Sequence, residues 1–156
     1  MNEIKISING DESFIKELGY NLHKYNQNNC EFIKNNSNPK HNFKEIINFS
    51  VNVDGYFVGG ASGKIQFGWY YLDQLWLDEK FRMSGIGSEI IRNIEKIAMD
   101  KNCFGIKTET WSFQAKDFYQ KNGFEVYAKL DDFPPGSIEY HLKKIIKNKK
   151  GDEIDE

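Results

Sequence analysis

The segment Leu75-Trp76-Leu77-Asp78-Glu79-Lys80-Phe81-Arg82-Met83-Ser84-Gly85-Ile86-Gly87 restricts the fold more than any other part of the chain. It reads as an apolar strand, a charged turn, and an Arg-x-x-Gly-x-Gly run that opens an amphipathic helix. Beyond Gly85, residues Ile86, Ile90, Ile91, Ile94, Ile97 and Ala98 share one helical face, with Arg92, Asn93, Glu95 and Lys96 on the other, to about Lys101. The first amides of such a helix have no intrahelical partners, and its dipole is positive at that end. Two glycines let the backbone approach an anion closely, and Arg82 adds a fixed positive charge. The segment is therefore a place to bind a phosphate.

Its surroundings define the fold class. Ile46 to Val53, Phe57 to Phe67 and Tyr70 to Asp78 read as consecutive strands, and turns at Asp54-Gly55 and Phe67-Gly68 make them an antiparallel meander. After the helix come a strand from Phe104 to Thr110 and a helix from Phe113 to Lys121 that stops at Asn122-Gly123. A strand pair follows, Phe124 to Leu130 and Ile138 to Ile146. At the other end, Ile4, Ile6 and Ile8 alternate as a first strand, ended by a turn at Asn9-Gly10-Asp11 that can also cap a helix carrying Phe14, Ile15, Leu18, Leu22 and Tyr25. The asparagine-rich stretch from Asn26 to Phe43 reads as a loop or a broken helix. The sum is an α/β (α+β) arrangement, a mixed sheet with helices packed on its faces.

Bulk properties narrow the function. A chain of 156 residues, 39% hydrophobic and 15% aromatic, supports one globular domain, here residues 1–146, with a charged tail over residues 147–156. A net charge of -2 argues against broad electrostatic binding to nucleic acid. No apolar run reaches membrane-spanning length and the N-terminus lacks a signal-peptide pattern, so a cytoplasmic protein that does not engage the membrane is expected. The two cysteines, Cys30 and Cys103, are expected as free thiols, and the three histidines form no metal-binding pair, so no metal is expected.

Two nucleotide-binding rivals fit poorly. A dinucleotide fold would use Glu109 for a ribose, but it needs a third glycine where Ile90 stands, a tight strand-to-helix turn, and βαβ units in place of the meander. A P-loop needs a Gly-Lys-Ser/Thr that is absent.

The chain resembles the GCN5-related N-acetyltransferases over roughly Glu45 to Lys144. Leu75-x-Leu77 followed by Arg82-x-x-Gly85-x-Gly87 is similar to that family's coenzyme A pyrophosphate motif, and Ala115-x-x-Phe118-Tyr119-x-x-x-Gly123-Phe124 is similar to its second motif. Trp111-Ser112-Phe113-Gln114-Ala115 with Asp132-x-Pro134-x-Gly136 looks like a bacterial subgroup with mostly unassigned substrates. The resemblance implies a single-domain, mostly antiparallel sheet of about seven strands flanked by helices on both faces. It also implies an enzyme that moves an acetyl group from acetyl coenzyme A to a primary amine by direct attack in a ternary complex. Amides from Met83 through Ser84, Gly85, Ile86 and Gly87 to Ser88, with Arg82, would hold the pyrophosphate. The backbone of Trp76 and Leu77 would hold the pantetheine arm and the acetyl carbonyl, and Tyr119 would protonate the leaving thiolate. Ser112 stands where many relatives place an asparagine against pantetheine.

Amine attack also requires a base, because an alkylammonium ion has a pKa of about 10. Asp73 and Glu109 are the candidates. Asp73 is slightly favoured because period two would put it on the strand face of Leu77. The stretch from Tyr20 to Phe43 is expected beside the acceptor, which is a small amine or a protein amine. A module that binds coenzyme A without turnover is the rival reading, and a monomer and a homodimer both stay open.

Overall fold

The computed structural model describes residues 11–36 and 44–146 together with Ile4, Ile6 and Ile8. The chain forms two units, Met1–Phe43 and Lys44–Glu156. In the first, α1 (Glu12–Asn29) starts at Asp11, whose carboxylate accepts the Ser13 N–H at 3.0 Å and the Ser13 hydroxyl at 2.7 Å. Cys30 then adopts an extended backbone and ends α1 while starting α2 (Glu31–Asn36): its N–H donates to Asn26 and its carbonyl accepts from Lys34, both at 2.9 Å. The asparagine-rich stretch is thus a broken helix as far as residue 36. Ile4, Ile6 and Ile8 have no regular structure and are exposed, which overturns the first strand at those positions. The remainder of that strand, residues 37–43 and the tail from residue 147 lie outside the described residues.

The second unit is a seven-stranded sheet. Its strands are β1 (Glu45–Ile46), β2 (Phe49–Val53), β3 (Tyr56–Gln66), β4 (Trp69–Leu77), β5 (Gly105–Trp111), β6 (Glu125–Asp131) and β7 (Ile138–Ile145). A short 3-10 turn (Glu79–Phe81), α3 (Ile86–Asp100) and α4 (Lys116–Lys121) complete it. The order is β1-β3-β4-β5-β7-β6, with β2 also on β3, and every pairing is antiparallel except β4 with β5. The predicted Ile46-to-Val53 strand is interrupted because Ile47 and Asn48 turn their polar groups to other partners. Asn48 Oδ1 accepts the Gly63 N–H at 3.1 Å, and the Ile47 carbonyl accepts the Tyr70 hydroxyl at 2.9 Å.

One sheet face carries the core. Tyr70, Leu72 and Leu77 of β4, Ile106 of β5 and Leu142 of β7 pack with Ile90, Ile91, Ile94 and Ala98 of α3 and Tyr119 of α4. A fully buried aliphatic side chain of this kind contributes about 1.5–3 kcal/mol, which explains why the isoleucine stripe of α3 lies on the sheet. Lys144 on the same face pairs with Glu95 of α3. Among the described residues no helix is long and apolar enough to cross a membrane.

Two irregularities shape the upper end of the sheet. A bulge in β4 opposes both Asp73 and Gln74 to the Ser62–Gly63 step of β3, because Ser62 pairs with Gln74 and Gly63 with Leu72. Pairing of β4 with β5 runs from Trp69–Gly105 to Leu72–Thr108 and ends there, although both strands continue, to Leu77 and Trp111. The two central parallel strands part beyond Leu72 and Thr108.

Candidate functional site

The gap between β4 and β5 presents backbone groups. The Asp78 N–H donates to the Val58 carbonyl at 2.8 Å, so Asp78 and Val58 are a hydrogen-bonded pair of the antiparallel β3–β4 ladder. Alternation along such a ladder turns the Trp76 amide toward Gly60 of β3 and leaves those of Leu75 and Leu77, opposite Ala61 and Gly59, facing the gap. The expectation for Leu77 fits this register. That for Trp76 is corrected: its backbone is committed to β3, and Leu75 is the second residue that offers an amide to the gap. The Trp76 side chain instead lies half exposed, stacked on Phe57 with centroids 6.4 Å apart.

At the wide end of the gap stands the start of α3. Met83 and Gly85 both have left-handed backbones, φ +59° and +88°, and the Met83 side chain is fully exposed. Gly85 occupies the N-cap position without any side-chain cap, so the amides that follow it, of Ile86, Gly87 and Ser88, have no intrahelical partner at the positive end of a 15-residue helix. The Ser84 hydroxyl donates to the Phe81 carbonyl at 2.6 Å and fixes the turn. A side chain at Gly85 would meet nothing within 4 Å. Gly87 is different. It is buried, and a Cβ there would lie 3.0 Å from the Phe118 ring and 3.8 Å from Leu77 Cδ1. Gly85 permits the approach of an anion, whereas Gly87 permits α3, α4 and the end of β4 to pack together. Arg82 reaches back, its Nε donating to the Leu77 carbonyl at 3.0 Å, which ties the loop to the strand end.

The narrow end lies between two groups on opposite sheet faces. On the core side is Tyr119, 5% exposed and edge-on to Phe118 and Phe124. Burial raises the pKa of its phenol, while a hydrogen bond with Thr108 acts weakly the other way, so it remains a proton donor throughout the neutral range. Thr108 marks the last β4–β5 pair, and its hydroxyl donates to the Leu72 carbonyl at 2.9 Å.

On the opposite face Glu109 accepts the Tyr71 hydroxyl at 2.5 Å. His141 of β7 lies between two carboxylates, with Nδ1 3.5 Å from Glu109 and Nε2 3.1 Å from Glu139. Burial, then the bond to Glu109 and the negative charges of Glu109, Asp73 and Glu139, hold the Tyr71 phenol well above its ordinary pKa. Asp73 is exposed at the bulge. Asp73 does not share the strand face of Leu77 as period two predicts: the bulge shifts the phase of β4, so Leu72 and Leu77 are both buried on the core face while Asp73 joins Tyr71 on the other. No local pattern in the sequence singles out His141 or Tyr71, because their partners stand on other strands. The alternation of Glu139, His141 and Lys143 shows only that the three share a strand face.

Around the end of β5, Ser112 exchanges two bonds with Ile138: its N–H donates to the Ile138 carbonyl at 2.8 Å and its Oγ accepts the Ile138 N–H at 3.2 Å. The hydroxyl oxygen thus joins β5 to β7. Gln114 Oε1 accepts the Trp111 N–H at 3.1 Å and the Thr110 hydroxyl at 3.2 Å, holding the turn into α4. The Trp111 indole N–H is buried with no hydrogen-bond partner among the described residues.

The model of the Acetyltransferase (GNAT) family matches residues 15–124, more than half of the chain. The chain belongs to the GNAT family of acetyltransferases. Blasticidin-S acetyltransferase of Streptomyces morookaense is 40% identical over 97 residues, which cover 62% of this chain and 71% of that protein. A crystal structure of an acetyltransferase from Bacillus cereus superposes with a TM-score of 0.76 at 29% identity, covering 90% of this chain and 97% of that one. An N-acetyltransferase of Thermoplasma acidophilum, solved in complex with coenzyme A, shares the fold at 22% identity and a TM-score of 0.57, over 86% and 79% of the two chains. The residues of this GNAT acetyltransferase suit such a coenzyme: the uncapped α3 start offers amides for phosphates, and the parted strands offer the amides of Leu75 and Leu77.

Proposed function

We propose that this GNAT acetyltransferase transfers the acetyl group of acetyl coenzyme A to the primary amine of a small molecule by direct attack in a ternary complex. The observation that carries the reading is the end of β4–β5 pairing at Leu72–Thr108, with the Tyr119 phenol on one sheet face of that point and Glu109 on the other. The pyrophosphate rests on the amides from Met83 to Ser88. From there the pantetheine arm runs down the gap past the Leu77 and Leu75 amides, which polarise the carbonyl oxygen where negative charge develops.

The amine reaches the thioester from the face of Tyr71 and Glu109, because α4 fills the other. Glu109 takes the ammonium proton, directly or through one water, and His141 and Glu139 extend the path to solvent. The freed lone pair attacks the carbonyl carbon, the carbon–sulfur bond breaks, and the thiolate takes its proton from Tyr119, leaving an acetamide and free coenzyme A. Glu109 displaces Asp73 as the favoured base because it is half-buried and linked to other titratable groups. The name of the Streptomyces relative, a blasticidin-S acetyltransferase, favours a small molecule over a protein as acceptor.

Thiol release from acetyl coenzyme A across a panel of primary amines tests the reading. Release that depends on the amine and falls at least a hundredfold in Tyr119→Phe is expected. Tight coenzyme binding with no release on any amine would leave a binding module and refute catalysis.

A further inference from the structure

The face that carries Glu109 also carries a row of lysines. Lys64, Tyr71, Lys107, Lys143 and Glu125 are direct register neighbours across β3, β4, β5, β7 and β6. Lys107 and Lys143 stand directly opposite each other, a like-charge pair that destabilises a sheet. Lys143 lies 3.4 Å from Glu125 at the rim. Lys64 and Lys107 come from the two strands beside Tyr71 and lie 5.0 and 4.7 Å from its ring centroid, and neither forms an ion pair among the described residues. These lysines, with Trp69, Tyr71 and Tyr127, line a cavity of about 570 Å³. The row above holds the opposite charge: Glu109 follows Lys107 by two residues on the same strand, about 7 Å away, with Glu139 beyond it. Tyr71 joins the two, its ring against both ammonium groups and its hydroxyl on Glu109.

We propose that the acceptor is a primary amine carrying an anionic group, a carboxylate or a phosphate, one short aliphatic spacer away. The anion rests on Lys64 and Lys107 while the amine lies at Glu109. This rests on the reading of the chain as an amine acetyltransferase and adds the substrate class. A bipolar ligand offsets the charges of Lys64 and Lys107 and aligns its amine with the end of the gap. A neutral or purely cationic amine does neither.

The test compares ω-aminohexanoate, the phosphate monoester of aminobutanol and the neutral ω-aminohexanamide as acceptors, with wild type and with Lys64→Gln/Lys107→Gln. The wild type should favour at least one anionic amine over the amide by about tenfold or more in kcat/KM. In the double variant that ratio should fall to within about twofold while the rate on the amide is unchanged. Which anion is preferred separates carboxylate from phosphate recognition. A ratio near one in wild type, or one that survives the double substitution, overturns the proposal. If no amine is acetylated although coenzyme A binds, the catalytic reading fails by itself. Calorimetric titration of the coenzyme A complex with the same probes then decides the site: tighter binding of an anionic probe, lost in the variant, sustains it, and equal or absent binding overturns it.

Discussion

The two glycines of the Arg-x-x-Gly-x-Gly run have different jobs, and exchanging each separates them. At Gly85, φ is +88° and no atom lies within 4 Å of an added Cβ. A glutamate there strains a left-handed backbone by about 1–2 kcal/mol but displaces nothing. Its charge, about 5 Å from a bound pyrophosphate, opposes binding by roughly 1–3 kcal/mol for an effective dielectric constant between about 80 and 20. That corresponds to an affinity about 5- to 150-fold weaker. At Gly87 an added Cβ is held 3.0 Å from Phe118, inside ordinary contact distance. Alanine there overpacks by about 1–3 kcal/mol, offset by about 1 kcal/mol of helix propensity. The net loss of up to about 2 kcal/mol lowers Tm by as much as about 8 °C. Glutamate at 87 would place a charge in the core and unfold the domain, so it is the wrong probe of the phosphate site. Coenzyme A titration calorimetry and thermal unfolding of Gly85→Glu and Gly87→Ala should therefore separate the two in affinity: both lower Tm by a similar amount, but only Gly85→Glu loses affinity, while Gly87→Ala stays within about threefold. Wild-type affinity in Gly85→Glu would show that the pyrophosphate does not lie at this turn.

Three further outcomes follow from the site and the core. Tyr119→Phe should lower kcat by about 10²- to 10⁴-fold with the Kd for coenzyme A unchanged, measured by thiol release and calorimetry; a shift in Kd alone would assign the phenol to binding. Glu109→Gln should lower kcat/KM about a hundredfold, whereas Asp73→Asn, at the exposed bulge, should stay within about threefold; the reverse order would restore Asp73 as the base. Tyr70, fully buried, has its phenol pKa pushed up to about 12 by desolvation. Because the unfolded chain titrates near 10, that stability is intact below about pH 10 and is lost as pH rises toward the folded value, about 3 kcal/mol in all. Urea midpoints should fall steeply between about pH 10 and pH 12, and less steeply in Tyr70→Phe.

Much of this site was legible because its signals are local. The strand ending at Leu77, the turn, Gly85 and the isoleucine stripe follow one another in the chain, and the helix formed at Ile86–Asp100 as the spacing predicts. The end of a helix at Cys30 was not legible, since neither glycine nor proline marks it. The bulge at Asp73 was also hidden: it depends on the register with Ser62 and Gly63, and one extra residue reverses which side chains share a face. The same limit concealed the polar chain from Tyr71 through Glu109 and His141 to Glu139, whose members meet only when β4, β5 and β7 assemble. Trp76 and Leu77 looked equivalent in the motif. Only the pairing of Asp78 with Val58 shows which amide is free to face the gap.

On the proposed mechanism, the parted strands β4 and β5 hold the acyl-bearing arm of acetyl coenzyme A between Tyr119 and Glu109. A crystal structure of the complex tests it most directly. The pyrophosphate is expected on the amides from Met83 to Ser88, the arm hydrogen-bonded to the backbone of Leu77 and Leu75, and the sulfur within reach of the Tyr119 hydroxyl. Coenzyme bound elsewhere on the sheet, or a sulfur remote from Tyr119, would contradict it.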